Sequence, residues 1–413
     1  MPDAPEVGEF VVAVNLITFS KQYLRLDEAL PFGVRDRAGR LLLAAGQRID
    51  SSHRLAELRD LELYADEAES SDWRRRLALT VDSMVRQNAT LKEIAEARPI
   101  DAARDHAASE APMAEQWSQM AHVLDAALRE PDAGAAWVAR VGLVHERVHA
   151  LARRRFDSSV YHLIYTAGHS TASYSSHHAL LCTLMAGECA RIAGWSAPEV
   201  ASLERAALTM NVAMKRLQDE LAARDVSMTP ALREQIRLHP EAGAALLQAA
   251  GVNDALWLDA VRLHHDDGPK AKPLVALTPC ERLARLLRRV DIFTAKMSCR
   301  ATRTPMSPVQ AAREACLGAN GQPDEIGAVL LKAVGLYPPG SFVELASGER
   351  GIVVARGRRA NLPIVAALVG ASGAPLGEPA LRDTVEKRHA VKGAVASQAV
   401  RVIPPHEKLL ALR

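Results

Sequence analysis

The chain has 413 residues, 48% of them hydrophobic, and its 51 basic and 49 acidic residues leave a net charge of +2. A chain of this length typically forms roughly two to four domains, and this apolar content is ample for packed cores. The near balance of charge provides no strong field, so we expect no binding to a nucleic-acid polymer or to a membrane surface.

The sequence carries no signal for export. Its first residues lack the basic and apolar regions of a signal peptide, and no uncharged apolar stretch reaches the length of about 20 residues that a membrane span needs. The 5 cysteines form no C-x-x-C pair, which is typical of buried thiols in a reducing compartment. We therefore expect a cytoplasmic protein.

Residues 1–68 predict a small β-rich module. Phe10–Leu16 is rich in β-forming residues, and Phe32–Val34 and Leu41–Ala44 flank a turn that contains a glycine. A short helix is expected near Ser51–Leu58.

Residues 69–155 shift to Ala, Leu, Arg and Glu at helical spacing and predict a helical connector. A coiled stalk that forms a homodimer is one alternative for this segment. The apolar repeat does not hold to heptads, so an ordinary helical bundle is favoured.

Residues 156–336 predict a helical domain, and residues 337–413 predict a small β barrel or sheet. The clearest helix start is the capping box formed by Thr278 and Glu281. The C-terminal module has period-two runs at Phe342–Leu345, Ile352–Ala355, Leu362–Val369 and Ala399–Ile403. The predicted fold is therefore mainly α, with small β-rich modules at the N- and C-termini.

Five side chains of the helical domain are candidate metal ligands near the ends of predicted helices. They are His178, His239, His264, His265 and Asp291. Histidines on an apolar face or near a helix C-terminus often have structural roles. A carboxylate beside an apolar stripe, in contrast, needs a cation or hydrogen-bond donors. In combination, the five are typical of a binuclear metal hydrolase.

Met210 and Asn211 lie where such a hydrolase needs an adjacent His-Asp pair. An apolar stripe from Val200 to Leu221 predicts one amphipathic helix with Met210 on its buried face. A thioether is a poor ligand for the divalent ions of these sites, and Asn211 offers no charge to neutralise two cations. Downstream, a Thr-Pro pair ending at Pro230 and a His-Pro pair ending at Pro240 each predict the start of a further helix.

Residues 156–336 resemble the HD-GYP family of cyclic di-GMP phosphodiesterases, a branch of the HD-domain metal phosphohydrolases. His178 resembles the family's first ligand, and His239 begins a segment similar to its His-Pro stretch. The pair His264–His265 resembles its double histidine, and Asp291 its final ligand. The resemblance implies an HD-domain-like helical bundle in which these side chains surround one cavity.

Three motifs depart from the family pattern. Met210 and Asn211 replace its His-Asp ligand pair, so these are lost ligand positions. Ala213–Met214 stands where the family has Gly-Lys, although Lys215 follows directly. Asp267–Pro273 replaces the Gly-Tyr-Pro loop.

We therefore expect a catalytically degenerate bacterial signalling protein that has no catalytic residues and acts by binding, as a protein scaffold or as a cyclic-dinucleotide receptor. No cofactor is expected, although the five remaining ligands leave open one iron or manganese ion. The alternative is a phosphodiesterase acting on cyclic di-GMP through a remodelled, mononuclear metal site. A purely structural helical protein is the third interpretation.

Overall fold

A computed structural model describes residues 16–26, 30, 32–44, 47–67, 70, 73, 77, 112–131, 134–266, 272–317 and 322–412. The chain forms two compact units, Met1–Glu110 and Ala111–Arg413, which are described separately. The finer division at residues 68, 155 and 336 remains a prediction. No helix within the described ranges combines the length and apolar character that a membrane span requires.

The described residues of the first unit form a four-stranded antiparallel sheet and one helix, as expected for a small β-rich module. Its elements are β1 (Leu16–Thr18), β2 (Val34–Arg35), β3 (Leu41–Leu43), α1 (Ser52–Asp60) and β4 (Tyr64–Asp66), with strand order β1-β4-β2-β3. Gly39 has a φ of 85° in the turn between β2 and β3. The aromatic rings of Phe19, Phe32 and Trp73 pack together in its core.

The sequence predictions for residues 10–15 and for residues 78–111 of the connector lie outside the described residues. The same holds for residues 267–271 of the segment that replaces the Gly-Tyr-Pro loop.

The second unit is a helical bundle followed by a β sheet, which confirms the predicted mainly α fold. Its helices are α2 (Met113–Arg129), α3 (Ala135–His169), α4 (Tyr174–Ile192), α5 (Ala197–Thr209), α6 (Lys215–Ala223), α7 (Pro230–Ala249), α8 (Ala255–Leu263), α9 (Pro279–Met297), α10 (Pro308–Cys316), α11 (Glu325–Val334) and α12 (His406–Ala411). Helix α3 is kinked at Arg155, where φ is −144°. The capping box of Thr278 and Glu281 at the start of α9 is present as predicted.

Two helix predictions were wrong. The apolar stripe from Val200 to Leu221 is divided between α5 and α6, because a short 3-10 segment, Val212–Met214, separates them. The apolar spacing continues through this break, which is why periodicity did not indicate it. Conversely, Pro240 does not start a helix but lies within α7. The stretch after Pro230 is therefore a single helix.

A five-stranded antiparallel sheet forms the C-terminal module, in the order β8-β7-β6-β5-β9. The strands are β5 (Phe342–Leu345), β6 (Arg350–Ala355), β7 (Ile364–Val369), β8 (Pro375–Asp383) and β9 (Val391–Val395). The first three match predicted runs. The strand predicted at Ala399–Ile403 was wrong, because residues 397–399 form a 3-10 turn and no strand follows. Strands β8 and β9 were missed since neither has a buried residue and hence neither has an apolar alternation.

Arg356, at the end of β6, fastens this sheet to the helices. Its guanidinium donates hydrogen bonds to Asp157 Oδ1 at 2.5 Å, to Glu188 Oε1 at 3.0 Å and to the Ala333 carbonyl at 2.7 Å. It also lies 4.3 Å from the ring centroid of Phe156. One planar cation therefore joins the sheet to three helices, α3, α4 and α11.

Met210 is fully buried in the core of the helical bundle, as its position in the apolar stripe predicted. We expect Met210→Ala to lower the free energy of unfolding by about 2–5 kcal/mol, because truncation leaves a cavity in a packed core. Met228, which is 40% exposed, provides the matched control, and Met228→Ala should change stability by less than about 0.5 kcal/mol. Chemical denaturation followed by circular dichroism measures both, and equal values would contradict the core role of Met210.

Candidate metal centre

Three of the five predicted ligands form one cluster. His239 comes from the middle of α7, and His264 and His265 follow the last turn of α8. Each offers a ring nitrogen, and these nitrogens lie within 4.8 Å of one another. His239 and His264 are buried, whereas His265 is exposed.

The orientation of His239 follows from the proline beside it. Pro240 has no N–H, so the carbonyl of Ile236, four residues earlier, lacks its usual helical donor. His239 Nδ1 fills this vacancy with a hydrogen bond of 2.5 Å to Ile236 O. The proton of the neutral ring is thereby held on Nδ1, and Nε2 is left with a free lone pair.

His264 is fixed in the same tautomer. Its Nδ1 lies 2.6 Å from the Val261 carbonyl, and its Nε2 lies 3.2 Å from His239 Nε2. Burial lowers the pKa of His239 to about 4 and that of His264 to about 3, so both rings are neutral at pH 7. Although His265 is exposed at the surface, desolvation of its ring by neighbouring groups also lowers its pKa. Two neutral rings whose lone pairs face each other fit a shared cation, which would replace their mutual repulsion by two bonds.

The other two predicted ligands, His178 and Asp291, form an ion pair. His178 Nε2 lies 2.8 Å from Asp291 Oδ1, joining α4 to α9. Burial opposes the charged form of His178, but its pKa is raised well above 6.5 because Cys182, Tyr174 and Asp291 favour the imidazolium. Burial would raise the pKa of Asp291, yet the hydrogen bond from His178 outweighs it and lowers this pKa to about 2.

Asp291 connects the pair to the histidine cluster. Its negative charge acts to raise the pKa of His239, His264 and His265. The helices thus bring the five side chains into one neighbourhood, but in two groups with different chemistry. Three neutral imidazoles present lone pairs, whereas His178 and Asp291 neutralise each other.

Sequence reasoning did not identify Cys182 as part of this site. Its Sγ lies 3.5 Å from His178 Nε2 and 3.1 Å from Thr294 Oγ1. Cys182 is one helical turn after His178, and this spacing of four residues was the available signal.

Met210 and Asn211, the predicted lost ligand positions, follow the last residue of α5. Met210 is fully buried and half-buried Asn211 has a φ of −106° where the helix breaks. Neither belongs to a cluster of candidate ligands among the described residues. Helix α7 packs against this turn, since a Cβ on Gly243 would lie at an ordinary contact distance, 3.7 Å, from the Met210 carbonyl oxygen.

Lys215 does not take the place of the lysine that the family has one position earlier. It is 4% exposed, and its Nζ lies 2.7 Å from Asp125 Oδ1 and 2.8 Å from Asp219 Oδ2. Asp219 also accepts a hydrogen bond of 2.7 Å from the backbone N–H of Ser175. Two carboxylates therefore hold this ammonium in a structural network between α2 and α6.

The His178–Asp291 pair gives a pH-dependent contribution to stability. The contribution of His178, whose pKa is raised in the folded protein, is present below 6.5 and is lost as the pH rises through the raised value. The contribution of Asp291 is present above 3.8 and is lost as the pH falls through about 2. The pair therefore stabilises the protein from mildly acidic to neutral pH.

We expect Asp291→Asn to reduce the free energy of unfolding by about 1.5–3 kcal/mol near neutral pH, because a charged hydrogen bond is lost. The reduction should shrink at alkaline pH, where His178 of the original protein also loses its charge. Asp259→Asn, at a surface carboxylate 2.6 Å from Arg262, is the control and should have little effect. Denaturation curves across pH test this, and a loss that is the same at every pH would exclude an ion pair.

Comparison with known proteins shows a similarity in sequence to one protein and a similarity in structure to another. The chain is 28% identical over 189 residues to a cyclic di-GMP phosphodiesterase of Pseudomonas aeruginosa, a match that covers 45% of this chain and 45% of that protein. An HDG"Y"P protein of Bdellovibrio bacteriovorus aligns in structure with a TM-score of 0.42 and 13% identity, over 76% of this chain and 98% of that chain. No protein-family model matches the chain. In the order of its candidate ligands and in its relationship to the Pseudomonas protein, the chain resembles the HD-GYP family.

Proposed function

We propose that this protein is a catalytically degenerate member of the HD-GYP family and that it acts by binding. The observation that carries the proposal is the chemistry at residues 210 and 211. A buried thioether and an uncharged amide occupy the positions of a histidine and of the carboxylate that would bridge two metal ions.

Hydrolysis by a two-metal centre requires that both cations be held and their charge be neutralised. The ions polarise the phosphate and generate hydroxide from a bound water molecule. Of the two acidic ligands in such a centre, Asn211 has replaced one. The remaining acid, Asp291, already has a cationic partner in His178 at 2.8 Å. The local charge therefore disfavours a pair of divalent ions.

The same residues fit one ion better than two. His239, His264 and His265 offer three neutral ring nitrogens, and the nearby charge of Asp291 favours a cation. A single ion at these histidines would act as a Lewis acid. This arrangement favours the second candidate function, a mononuclear phosphodiesterase. Asp291, the acidic residue among the five predicted ligands, is already held by His178, which makes it a poor base, and we therefore favour binding.

The ligand to test first is cyclic di-GMP, because the related Pseudomonas protein is a cyclic di-GMP phosphodiesterase. One cavity of the second unit supports the receptor form of the proposal. It measures about 330 Å³, and its lining includes Lys332, Arg358, Arg359 and Tyr337. Guanidinium and ammonium groups suit the phosphates of a dinucleotide, and a tyrosine ring offers a surface for a base. A signalling protein is the partner in the scaffold form.

We expect the purified protein, supplied with manganese, iron or magnesium, to leave cyclic di-GMP intact at the level of a protein-free control. The Pseudomonas relative, assayed under the same conditions, serves as the positive control. Chromatography of the nucleotides measures the linear product. Sustained turnover that Asp291→Ala abolishes would refute catalytic degeneracy and favour the mononuclear phosphodiesterase.

Calorimetric titration with cyclic di-GMP separates the receptor from the scaffold. If the basic cavity is the receptor site, Arg359→Ala should weaken binding by about tenfold or more, since a charged hydrogen bond contributes about 1.5–3 kcal/mol. Arg233→Ala, at an exposed position on α7, is the matched control and should bind like the original protein. If the unmutated protein gives no heat of binding with cyclic dinucleotides, the receptor form is excluded and the scaffold form remains.

A further inference from the structure

A second group of candidate ligands lies outside the site described above. His145 and His149 are one turn apart on α3, and Glu204 comes from α5. His145 Nε2 lies 2.8 Å from Glu204 Oε2, and His149 Nδ1 lies 2.9 Å from the same oxygen. The three ligand atoms are all within 4.8 Å of one another.

The two histidines belong to the sequence His145-Glu-Arg-Val-His149. This H-E-x-x-H spacing places two imidazoles on one helix face, which is how many zinc sites are built. Such sites take their third ligand from another element, and a glutamate is a common choice. Here Glu204 occupies that position.

Glu204 is held in place by its surroundings. Its second oxygen, Oε1, accepts a hydrogen bond of 2.8 Å from Arg191 Nη1, and its side chain is 2% exposed. Gly187 makes room for it, because a Cβ there would lie 2.1 Å from Oε1. A carboxylate oriented by a partner on one oxygen while the other faces two imidazoles matches the support that metal ligands receive from their neighbours.

The charge and accessibility of the cluster also suit a cation. Burial would raise the pKa of Glu204, but hydrogen bonds from His145, His149 and Arg191 lower it, so the carboxylate is ionised. The His149 side chain is 43% exposed, which opens one side of the cluster to solvent. Ligand atoms around a tetrahedral zinc ion are about 3.4 Å apart, so the observed distances need to expand by only about half an ångström.

We propose that His145, His149 and Glu204 form a binding site for one divalent transition-metal ion, with zinc as its representative. Two imidazoles and one carboxylate are the donor set of many zinc centres and leave a coordination position for water. The site shares no residue with the His239 cluster. A test of this site therefore does not depend on whether the proposed loss of catalysis is correct.

Zinc titration of the full-length protein, first stripped with a chelator, tests this assignment. To remove the contribution of the other cluster, the titration uses a His265→Ala background. In that background we expect one equivalent of zinc to bind and to raise the melting temperature. Removing a residue that only supports a metal ligand weakens metal binding by about 10–100-fold. Because His149 is proposed as a ligand itself, adding His149→Ala should weaken zinc binding by more than this. Adding His122→Ala, an exposed histidine on α2, should leave it unchanged.

Cobalt provides a second readout that a salt-bridge cluster alone would not give. In the His265→Ala background, Co²⁺ should produce a visible ligand-field absorption that disappears with either His149→Ala or the more conservative His149→Gln. Circular dichroism verifies that the variants are folded. If the background binds no stoichiometric zinc, or if both His149 variants bind zinc and cobalt as the background does, the three residues are only an ion-pair network and the proposal is overturned.

Discussion

The interior position of helix α4 is the constraint on which both candidate sites depend. Most of its residues are buried, and it contacts α2, α3, α5, α6, α9 and α11. A helix that is buried on nearly every side must find a partner for each polar group it carries. His178 meets this requirement through Asp291, Arg191 through Glu204, and Glu188 through Arg356. The sites are thus the places where the polar residues of α4 are neutralised.

The same constraint explains why Asp291 can lie in the core without a metal ion. A carboxylate such as Asp291, facing an apolar core, is costly without a positive partner. In a metal centre the ions supply that charge. Here a protonated His178 supplies it, so two helices remain joined without depending on a metal. Met210, at one of the predicted lost ligand positions, is packed in the apolar core.

The sequence predicted those parts of the structure that are decided locally. The capping box at Thr278, the strands from Phe342 to Val369 and the burial of Met210 all follow from signals within a few residues. The break between α5 and α6 does not, because a 3-10 turn keeps apolar residues facing the core. The interior proline of α7 was misread for a related reason. Proline is favoured in the first turn of a helix. Pro240 lies instead in the middle of α7, where the side chain of His239 supplies the hydrogen-bond donor that the proline lacks.

The candidate sites were harder to predict, because they depend on pairs that are distant in sequence. The order of His178, His239, His264, His265 and Asp291 indicated convergence, but not that two of them would pair with each other. Glu204 gave no signal on its own, since a single glutamate on an amphipathic helix is ordinarily a surface residue. Only the packing of α5 against α3 and α4 places it among histidines.

Arg356 is the last member of a series of ion pairs that begins at Glu204. Glu204 contacts Arg191, Arg191 contacts Glu188, and Glu188 contacts Arg356. A relay of alternating charges thus runs from the His145 cluster to the first turn after β6. Arg191 therefore serves two carboxylates, one in the His145 cluster and one beside Arg356, so replacing Arg191 by a neutral residue would leave Glu204 and Glu188 each with one cationic partner fewer.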